Sequence, residues 1–297
     1  MKNHKLFRAV IIGCGKIAGG YDNTTDNKIR THAKAYSTHP HTQLVAVADI
    51  SIDRAQKFSD RWGQPKAYSH PKEMLKKEQP DIVSICTPDE THADYLDLAL
   101  NFTPKAVWCE KPLTTNVKRA ETLVDQYQKQ KILLAVNYQR RFDPLITALK
   151  QEKDKKLGTP KKVVVHYGKG ILHTGSHAVD LLIDWFGLPT DFKVFDSLYD
   201  FSTADPTIDA RIMFDNLPAY FIGHDSRHYQ IFKITVFGSL GKITIPHSEP
   251  TIMNSVLTKI VAGIVKSEPL PSTGATALET LRVCASLIKR LYETIGN

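Results

Sequence analysis

The first 120 residues of the chain alternate short apolar runs with stretches of helical pattern. The apolar runs predict strands at residues 7–12, 43–48, 81–86, 106–109 and 133–137. The stretches between them predict helices at residues 32–37, 52–62, 71–77, 91–100 and 117–130. Because strands that alternate with helices form right-handed βαβ units, we expect a doubly wound parallel sheet.

The second half of the chain has a different pattern. Strands are predicted at residues 161–167, 191–199, 208–214, 219–223, 231–237 and 242–245, with one helix at 176–186 and a closing helix at 275–294. Strands that follow one another with little helix between them are typical of an antiparallel sheet. At 297 residues, two domains are expected. We place one domain at 1–145 and a second at 146–297, whose final helix can pack back on the first domain.

The formal net charge of +8 raises the question of nucleic acid. The basic residues are spread along the chain, and the densest cluster comprises Lys150, Lys153, Lys155, Lys156, Lys161 and Lys162. That cluster indicates either a solvated helix end or a positive field that favours an anionic substrate or dinucleotide. No DNA-binding motif is present, so we expect no nucleic-acid partner.

Two further features bear on location. The N-terminus runs from a charged start through a short strand into a glycine turn, unlike a signal peptide, and no apolar run approaches the roughly 18 residues of a membrane span. The four cysteines are scattered without a CxxC pair. The cysteine pattern predicts a reducing, cytoplasmic setting. The short apolar runs predict no membrane partner.

A glycine motif follows the first predicted strand. Gly13, Cys14, Gly15, Lys16, Ile17 and Ala18 fit the pattern G-x-G-x-x-A. The first glycine permits a tight turn, the second lets the backbone approach a pyrophosphate, and the small third residue allows close helix–strand packing. The motif therefore predicts a dinucleotide cofactor.

Asp49 ends the second predicted strand, where a carboxylate would accept hydrogen bonds from ribose hydroxyls. It stands farther from the glycine turn than the usual separation of about 20 residues, and the loop-like stretch 19–27 accounts for the surplus. Its charge should repel a ribose phosphate, so we predict NAD, although Arg54 leaves NADP open. The alternative is that Asp49 only caps the following helix.

With these motifs the chain resembles the glucose-fructose oxidoreductase / inositol dehydrogenase (Gfo/Idh/MocA) family. The resemblance also rests on four later motifs: Thr87-Pro88 with Thr91-His92, Glu110-Lys111-Pro112, the run from Asn137 to Pro144, and the run from Gly175 to Asp180. It implies a Rossmann domain followed by an α/β domain built on a large open, mostly antiparallel sheet. It also implies tight nicotinamide binding, reversible oxidation of a secondary hydroxyl on a sugar, cyclitol or sugar nucleotide, and homodimers or homotetramers formed through that sheet.

The resemblance supplies the expected site residues. Lys111, at a strand end, is the candidate acid/base for the reacting hydroxyl. His177 is its expected relay partner, with Asp180 one helical turn later to orient it. Thr87, Pro88 and His92 are expected to line the nicotinamide half of the cleft, and the cofactor set is completed by Glu110, Lys111, Asn137 and Arg141.

His173 departs from the family pattern, which often has an aspartate four residues before the histidine. An imidazole can still pass a proton, so His173 joins the catalytic and substrate-binding candidates. It cannot supply a fixed negative charge beside Lys111, which weakens the inference of a polyol substrate and leaves room for sugar nucleotides. His173, His177 and Asp180 also suggest a metal site, but the glutamate of an HExxH motif is missing and we expect no metal.

Arg140 and Arg141 follow the fifth strand. They either clamp an acidic or phosphorylated substrate group, or one of them forms a salt bridge between domains. Tyr167, His224 and His228 are weaker candidates for substrate contact.

Two other functions compete with a dehydrogenase. Some relatives are glycosidases that use bound NAD transiently, and the fungal galactose repressor of this superfamily is a sensor without catalysis. Retention of both Lys111 and His177 argues against a sensor.

Overall fold

The computed structural model describes residues 6–25, 27–247 and 250–295. The chain forms two compact units, of which the first comprises Met1–Phe142 with Ser248–Ala275 and the second Asp143–His247 with Thr276–Asn297. The charged start of the chain, used above to argue against a signal peptide, lies at residues 1–5, outside the described residues. Asp26 of the loop-like stretch also lies outside them.

The first unit is built on a six-stranded parallel sheet. Its strands are β1 (Phe7–Ile12), β2 (Thr42–Ala48), β3 (Lys66–Tyr68), β4 (Ile82–Ile85), β5 (Ala106–Cys109) and β6 (Leu133–Val136). They lie in the order β3-β2-β1-β4-β5-β6, and every pairing is parallel. This is the order of a dinucleotide-binding Rossmann sheet, and the predicted fold class is confirmed.

Five helices connect these strands. They are α1 (His32–Thr38), α2 (Ile52–Arg61), α3 (Pro71–Glu78), α4 (His92–Leu100) and α5 (Val117–Lys129). Side-chain caps mark the start of α1, α2 and α5, where the side chains of Thr31, Ser51 and Asn116 accept hydrogen bonds from backbone amides of the first turn. The central strands β4 and β5 are buried along their whole length, as expected for a sheet covered on both faces.

The second unit contains a six-stranded mixed sheet. Its strands are β7 (Pro160–Tyr167), β8 (Asp191–Ser202), β9 (Asp205–Phe214), β10 (Leu217–Gly223), β11 (Phe232–Gly238) and β12 (Lys242–Thr244), in the order β12-β11-β7-β10-β9-β8. All pairings are antiparallel except β7 with β10. Its helices are α6 (Pro144–Gln151), α7 (Lys153–Leu157) and α8 (Ser176–Phe186).

The last two helices divide between the units. The apolar side of α9 (Ile252–Lys266), including Met253, Leu257 and Ile260, is buried in the core of the first unit. From Thr276 onward, α10 (Gly274–Ile295) belongs to the second unit, whose core contains Cys284 and Leu287.

The division differs from the predicted domains in two ways. The first break falls at Phe142, three residues before the predicted boundary, and residues 248–275 return to the first unit instead of staying in the second. The helix that packs on the first unit is thus α9, which was not predicted, whereas the final helix packs in the second unit. The short strand β3 was also missed.

The basic cluster and the cysteines can now be described from the structure. Two lysines of the cluster form ion pairs: Lys150 lies 2.8 Å from Asp184, and Lys156 lies 3.0 Å from Glu152. The four cysteines are buried and free. No helix among the described residues has the length and apolar character needed to cross a membrane.

Candidate active site

The glycine turn lies at the carboxyl end of β1. Gly13 has a φ of +91°, and a Cβ there would lie 2.7 Å from the carbonyl oxygen of Cys86, so only glycine fits. At Gly15 a Cβ would meet no protein atom within 4 Å, and Ala18 is fully buried. The turn continues into one helical turn, Lys16–Gly20, and α1 begins only after the intervening loop. This backbone fits the close approach of a dinucleotide pyrophosphate.

Asp49 follows β2 and is buried. Its carboxylate accepts hydrogen bonds from the amides of Cys14 (3.0 Å) and Ser51 (2.9 Å), and the Arg54 guanidinium lies 3.3 Å away. The cap of α2 is Ser51, whose hydroxyl accepts from the amide of Arg54, so Asp49 is not the capping residue. Asp49 thus ties the glycine turn to the end of β2, where ribose hydroxyls bind in this fold.

A cavity of about 370 Å³ opens beside these residues. Its lining comes from the carboxyl ends of β1, β2 and β4 and from the segments that follow them: Gly13, Cys14, Gly15, Asp49, Ile50, Arg54, Pro71, Thr87, Pro88, Thr91 and Tyr95 are among the residues. Burial and the nearby Asp49 charge raise the pKa of the Cys14 thiol to about 12, so it stays protonated. The cavity therefore offers a mixed apolar and polar pocket without a reactive thiolate.

Glu110 follows β5 and is held by two side chains. One of its oxygens lies 2.9 Å from Nε2 of His32 and 2.6 Å from Nδ2 of Asn137, the residue after β6. Burial alone would raise the pKa of Glu110. The hydrogen bonds from His32 and Asn137 and the positive charge of Lys111 outweigh burial and hold the pKa below its ordinary value. Glu110 is therefore a buried carboxylate that stays ionised.

His32 extends this network away from Glu110. Its Nδ1 lies 2.9 Å from Ser84 Oγ, which in turn lies 2.7 Å from the Tyr36 hydroxyl. The centre of its ring lies 3.8 Å from that of the Trp108 ring, and the two planes are tilted by 40°. Because an ionised carboxylate only accepts, Nε2 of His32 must carry the proton that faces Glu110. Sequence reasoning missed His32, Ser84 and Tyr36 as parts of the site.

Lys111 lies directly after Glu110, and its peptide bond to Pro112 is cis. Its positive charge acts on two acids. It helps to lower the pKa of Glu110, and it opposes the effect of burial on Asp89, whose pKa is nevertheless raised above its usual range. The strand end thus places the charge of Lys111 close enough to Glu110 and Asp89 to influence both acids.

His92, predicted to line the nicotinamide half of the cleft, contacts protein through both ring nitrogens. Nδ1 lies 2.7 Å from the carbonyl oxygen of Pro112, and Nε2 lies 3.0 Å from that of Thr87. The ring is fully buried. His92 therefore lies between the segments after β4 and β5 with both ring nitrogens facing backbone carbonyls. A neutral imidazole carries one N–H, so in that form it donates to one of the two.

The second unit carries the other predicted catalytic residues. His173 lies in the helical turn Gly170–Gly175, and His177 lies in the first turn of α8. The His173 ring lies 4.6 Å from the exposed Phe201 ring, and the His177 ring lies 6.3 Å from that of Phe232. Asp180 is buried and accepts a hydrogen bond of 3.1 Å from Thr280 of α10.

The remaining candidates have varied surroundings. Arg140 and Arg141 lie in the turn Gln139–Phe142 after β6, and Arg141 is buried. Tyr167 is fully buried with its hydroxyl 2.8 Å from both the amide and the carbonyl of Ile208, so it is a structural residue. His224 lies 3.0 Å from His166 and 2.8 Å from the Tyr229 hydroxyl, whereas His228 is exposed.

Among the described residues, no group of three or more His, Cys, Asp or Glu side chains is arranged to hold a metal ion.

A larger cavity, of about 790 Å³, lies at the opposite edge of the first sheet. Phe7, Lys105 and Leu133, at the amino-terminal ends of β1, β5 and β6, contribute to its mostly apolar lining. Open α/β sheets bind ligands at the carboxyl ends of their strands. The smaller cavity, which contains the glycine turn and Asp49, is therefore the candidate cofactor site.

Comparison with known proteins finds an NAD-binding fold in the first unit. Residues 7–138 match the family described as "Oxidoreductase family, NAD-binding Rossmann fold" (GFO_IDH_MocA). The Rossmann domain of the first unit therefore resembles the NAD-binding domain of the Gfo/Idh/MocA family. The resemblance inferred from the motifs is thereby confirmed, and the matched residues form an NAD-binding Rossmann domain.

Two curated relatives illustrate the range of the family. The chain is 31% identical over 135 residues to D-glucoside 3-dehydrogenase of Escherichia coli, a match that covers 46% of this chain and 35% of that protein. It is 28% identical over 144 residues to myo-inositol 2-dehydrogenase of Thermotoga maritima, covering 48% and 40% respectively. The matches thus span well under half the length of these relatives.

A solved structure matches the whole chain. It is UDP-N-acetylglucosamine 3-dehydrogenase of Acidithiobacillus ferrooxidans, with a TM-score of 0.78, 18% identity, and coverage of 96% of this chain and 97% of that one. At this identity the likeness establishes the fold of the whole chain, including the second sheet.

Proposed function

We propose that the protein is an NAD-dependent oxidoreductase that converts a secondary hydroxyl of a sugar, cyclitol or sugar nucleotide into a ketone, or the reverse. The observation that carries the proposal is the strand end of β5 in the NAD-binding unit, where Lys111 stands beside the ionised Glu110. Relatives named for glucoside and inositol dehydrogenation support the substrate class.

The proposed chemistry separates a proton from a hydride. When bound, the nicotinamide accepts or supplies the hydride. Lys111, as the neutral amine, takes the proton of the substrate hydroxyl, and its ammonium returns that proton in the reverse direction. The carboxylates of Glu110 and Asp89 stabilise the ammonium that proton capture creates.

We further propose that His177 and His173 relay the proton and bind the substrate, assisted by Asp180 and Arg140. The placement of both imidazoles in one turn and the following helix supports this role. Arg141, Asn137 and Glu110 are proposed to complete the cofactor site, the last two through the network at the ends of β5 and β6.

NAD is the proposed working cofactor in preference to NADP. Asp49 presents a buried carboxylate where it can accept hydrogen bonds from ribose hydroxyls, and its charge repels a phosphate at the same position. Arg54, 3.3 Å from Asp49, sets how far NADP is tolerated.

The test is a panel of polyols, sugars and sugar nucleotides with NAD or NADP, followed by the absorbance of reduced nicotinamide. We expect NAD-dependent turnover of at least one compound. Lys111→Ala should lower kcat by about 10²–10⁴-fold while leaving the dissociation constant of NAD within a few-fold. Unchanged turnover in Lys111→Ala would disprove the acid/base role.

The same panel separates the two competing functions. A glycosidase would cleave a glycoside without net reduction of added NAD. A sensor would bind NAD and a sugar, and neither would be converted. Either result would replace the proposed dehydrogenase.

We also propose that a second copy of the chain covers the open face of the second sheet, giving a homodimer or homotetramer. One face of that sheet packs on the core through Val163 and Val165, whereas Ile222 and Phe237 are exposed on the other. Light scattering should give a mass above that of one chain for the wild type and a lower mass for Ile222→Glu. Val265→Glu, at an exposed site on the first unit, is the control.

A further inference from the structure

The turn Gly170–Gly175, which carries His173 and leads into His177, is bound through its backbone. Three side chains of the hairpin formed by β8 and β9 accept hydrogen bonds from its amides. The bonds are Lys169 N to Asp200 Oδ2 (2.7 Å), Gly170 N to Thr207 Oγ1 (2.8 Å), Leu172 N to Asp205 Oδ1 (2.7 Å) and His173 N to Asp205 Oδ2 (2.8 Å). The start of a helical turn leaves such amides without intrahelical partners, and here the hairpin supplies them.

Asp205 is central to this arrangement. Each of its two carboxylate oxygens accepts from a different amide, and the residue is buried. Gly170 has a φ of +79°, and a Cβ at that position would overlap the Asp205 carboxylate. The close approach of carboxylate and turn therefore requires glycine at 170.

Asp200 and Thr207 form a second anchor. The Thr207 hydroxyl donates to the other oxygen of Asp200 (2.7 Å), and the amide of Ser226 donates to Asp200 as well (2.9 Å). Burial raises the pKa of Asp200, but these hydrogen bonds outweigh it and hold the pKa below its ordinary value. Asp200 therefore stays a carboxylate.

The hairpin also touches the functional ring itself. Phe201, next to Asp200, has its ring 4.6 Å from the His173 ring at an interplanar angle of 32°. One element thus fixes both the backbone and the imidazole of His173. Charge-assisted hydrogen bonds of this kind are shorter and more directional than neutral ones, so they restrict where the turn can stand.

We propose that Asp205, with Asp200 and Thr207, is a positioning residue that sets the placement of His173 and His177. This inference rests on the proposed function, because the placement matters for catalysis only where these imidazoles serve hydride transfer. The role is indirect: Asp205 acts on the backbone of the turn, and the imidazoles act on the substrate.

The experiment uses Asp205→Asn in the full chain. An asparagine keeps one acceptor oxygen but turns an NH₂ group toward the other amide, so one of the two bonds is lost. We expect kcat to fall by about 10- to 100-fold, since a displacement of about 1 Å costs on that order. KM for NAD should be unchanged, because the cofactor residues belong to the first unit. Asp196→Asn, at an exposed position on β8 of the same hairpin, is the matched control and should keep the wild-type kcat.

A second readout does not depend on turnover. In NMR spectra of the imidazole C–H groups, the signals of His173 and His177 should shift in Asp205→Asn while those of His32 and His92 stay in place. Unshifted His173 and His177 signals would overturn the inference even if the enzyme were active. If the wild type converted no substrate, the proposed function would fail, and the NMR result would still decide whether Asp205 positions the turn.

If Asp205→Asn does not fold, Thr207→Val is the alternative variant for the same measurements. This variant has nearly the same volume and removes only the acceptor for the Gly170 amide and the donor to Asp200. A several-fold lower kcat with shifted His173 signals is expected. Wild-type kcat together with wild-type signals would overturn the proposal.

Discussion

The two units hold their chemical groups by different means. In the first unit, Glu110 is held by the side chains of His32 and Asn137, so each hydrogen bond requires a specific residue type at both ends. In the second unit, the turn that carries His173 is held by its backbone amides, so a specific residue type is required only at the acceptor, such as Asp205. A side-chain network constrains more positions than an amide-bound turn of the same size.

This difference predicts where each unit tolerates change. The strand-end network of the first unit should be sensitive at every member, because each loss leaves a buried polar partner unsatisfied. The turn of the second unit should accept many side chains at positions such as Leu172, provided that Gly170 and the carboxylates of the hairpin are kept. The predictions below test this contrast in order of decreasing effect.

The largest effect is expected for Gly170→Ala. The new methyl group would combine strain at a φ of +79° with overlap of the Asp205 carboxylate. We expect the free energy of unfolding, measured by urea denaturation, to fall by about 4 kcal/mol. Gly187→Ala is the control, because its φ is +86° but its Cβ would meet nothing within 4 Å. Equal losses in the two variants would mean that contact with Asp205 contributes little.

His32→Leu tests the side-chain network of the first unit. The replacement keeps a similar apolar volume and removes both hydrogen bonds, leaving Glu110 and Ser84 with fewer partners in a buried setting. We expect a loss of about 3 kcal/mol in stability and weaker NAD binding, measured by urea denaturation and calorimetric titration. His70→Leu, at an exposed position, should change neither. If His32→Leu behaved like His70→Leu, the network would not be what holds Glu110.

Asp49→Asn should change cofactor selection within the first unit alone. The amide keeps one acceptor oxygen, loses the charge that attracts ribose hydroxyls and repels a ribose phosphate, and turns its NH₂ group toward the backbone amide of either Cys14 or Ser51. We expect NAD affinity to fall by about 10-fold, the equivalent of one charged hydrogen bond, and the ratio of NAD to NADP affinity to fall with it. An unchanged ratio in binding titrations would show that another residue sets the preference.

The smallest effect is a difference in acid sensitivity. Glu110 has a pKa lowered from 4.5 and Asp200 a pKa lowered from 3.8, so each stabilises the folded state fully above its unfolded value. That stability is lost as the pH falls through the folded pKa of each group. Melting temperatures measured on descending pH should therefore begin to drop below about pH 4.5, and Glu110→Gln should drop less steeply than the wild type. Parallel curves for the two proteins would contradict a lowered pKa for Glu110.

Much of the fold was predictable because its signals are local. Strand β5 and helix α8 were predicted to the residue, since each is an apolar run bounded by turn residues or a glycine. Helix α9 was missed although its buried residues Ile252, Met253, Val256, Leu257, Ile260 and Val261 recur at helical spacing. The signal was therefore present in the sequence. Strand β3 was missed because three residues carry almost no periodicity.

The site divides in the same way. Gly13, Asp49 and Lys111 could be named because motif spacing or a strand end marks them. His32 could not be predicted, because a histidine at a helix start does not indicate that the fold buries it between Ser84 and Glu110. The role of Asp205 could not be predicted because its partners are backbone amides more than 30 residues away along the chain. A backbone amide is not tied to one residue type, so the sequence does not indicate the contact.

The return of α9 to the first unit has a consequence for how the chain is made. Ribosomes deliver residues in order, and domains generally fold as they emerge. The nascent Met1–Phe142 segment lacks Met253, Leu257 and Ile260 of its own core until the whole of Asp143–His247 has left the tunnel. During that interval the apolar surface that α9 will cover is open to chaperones. A truncated protein that ends at residue 145 would keep that surface exposed permanently, and an autonomous NAD-binding fragment would need residues 248–275 joined to it.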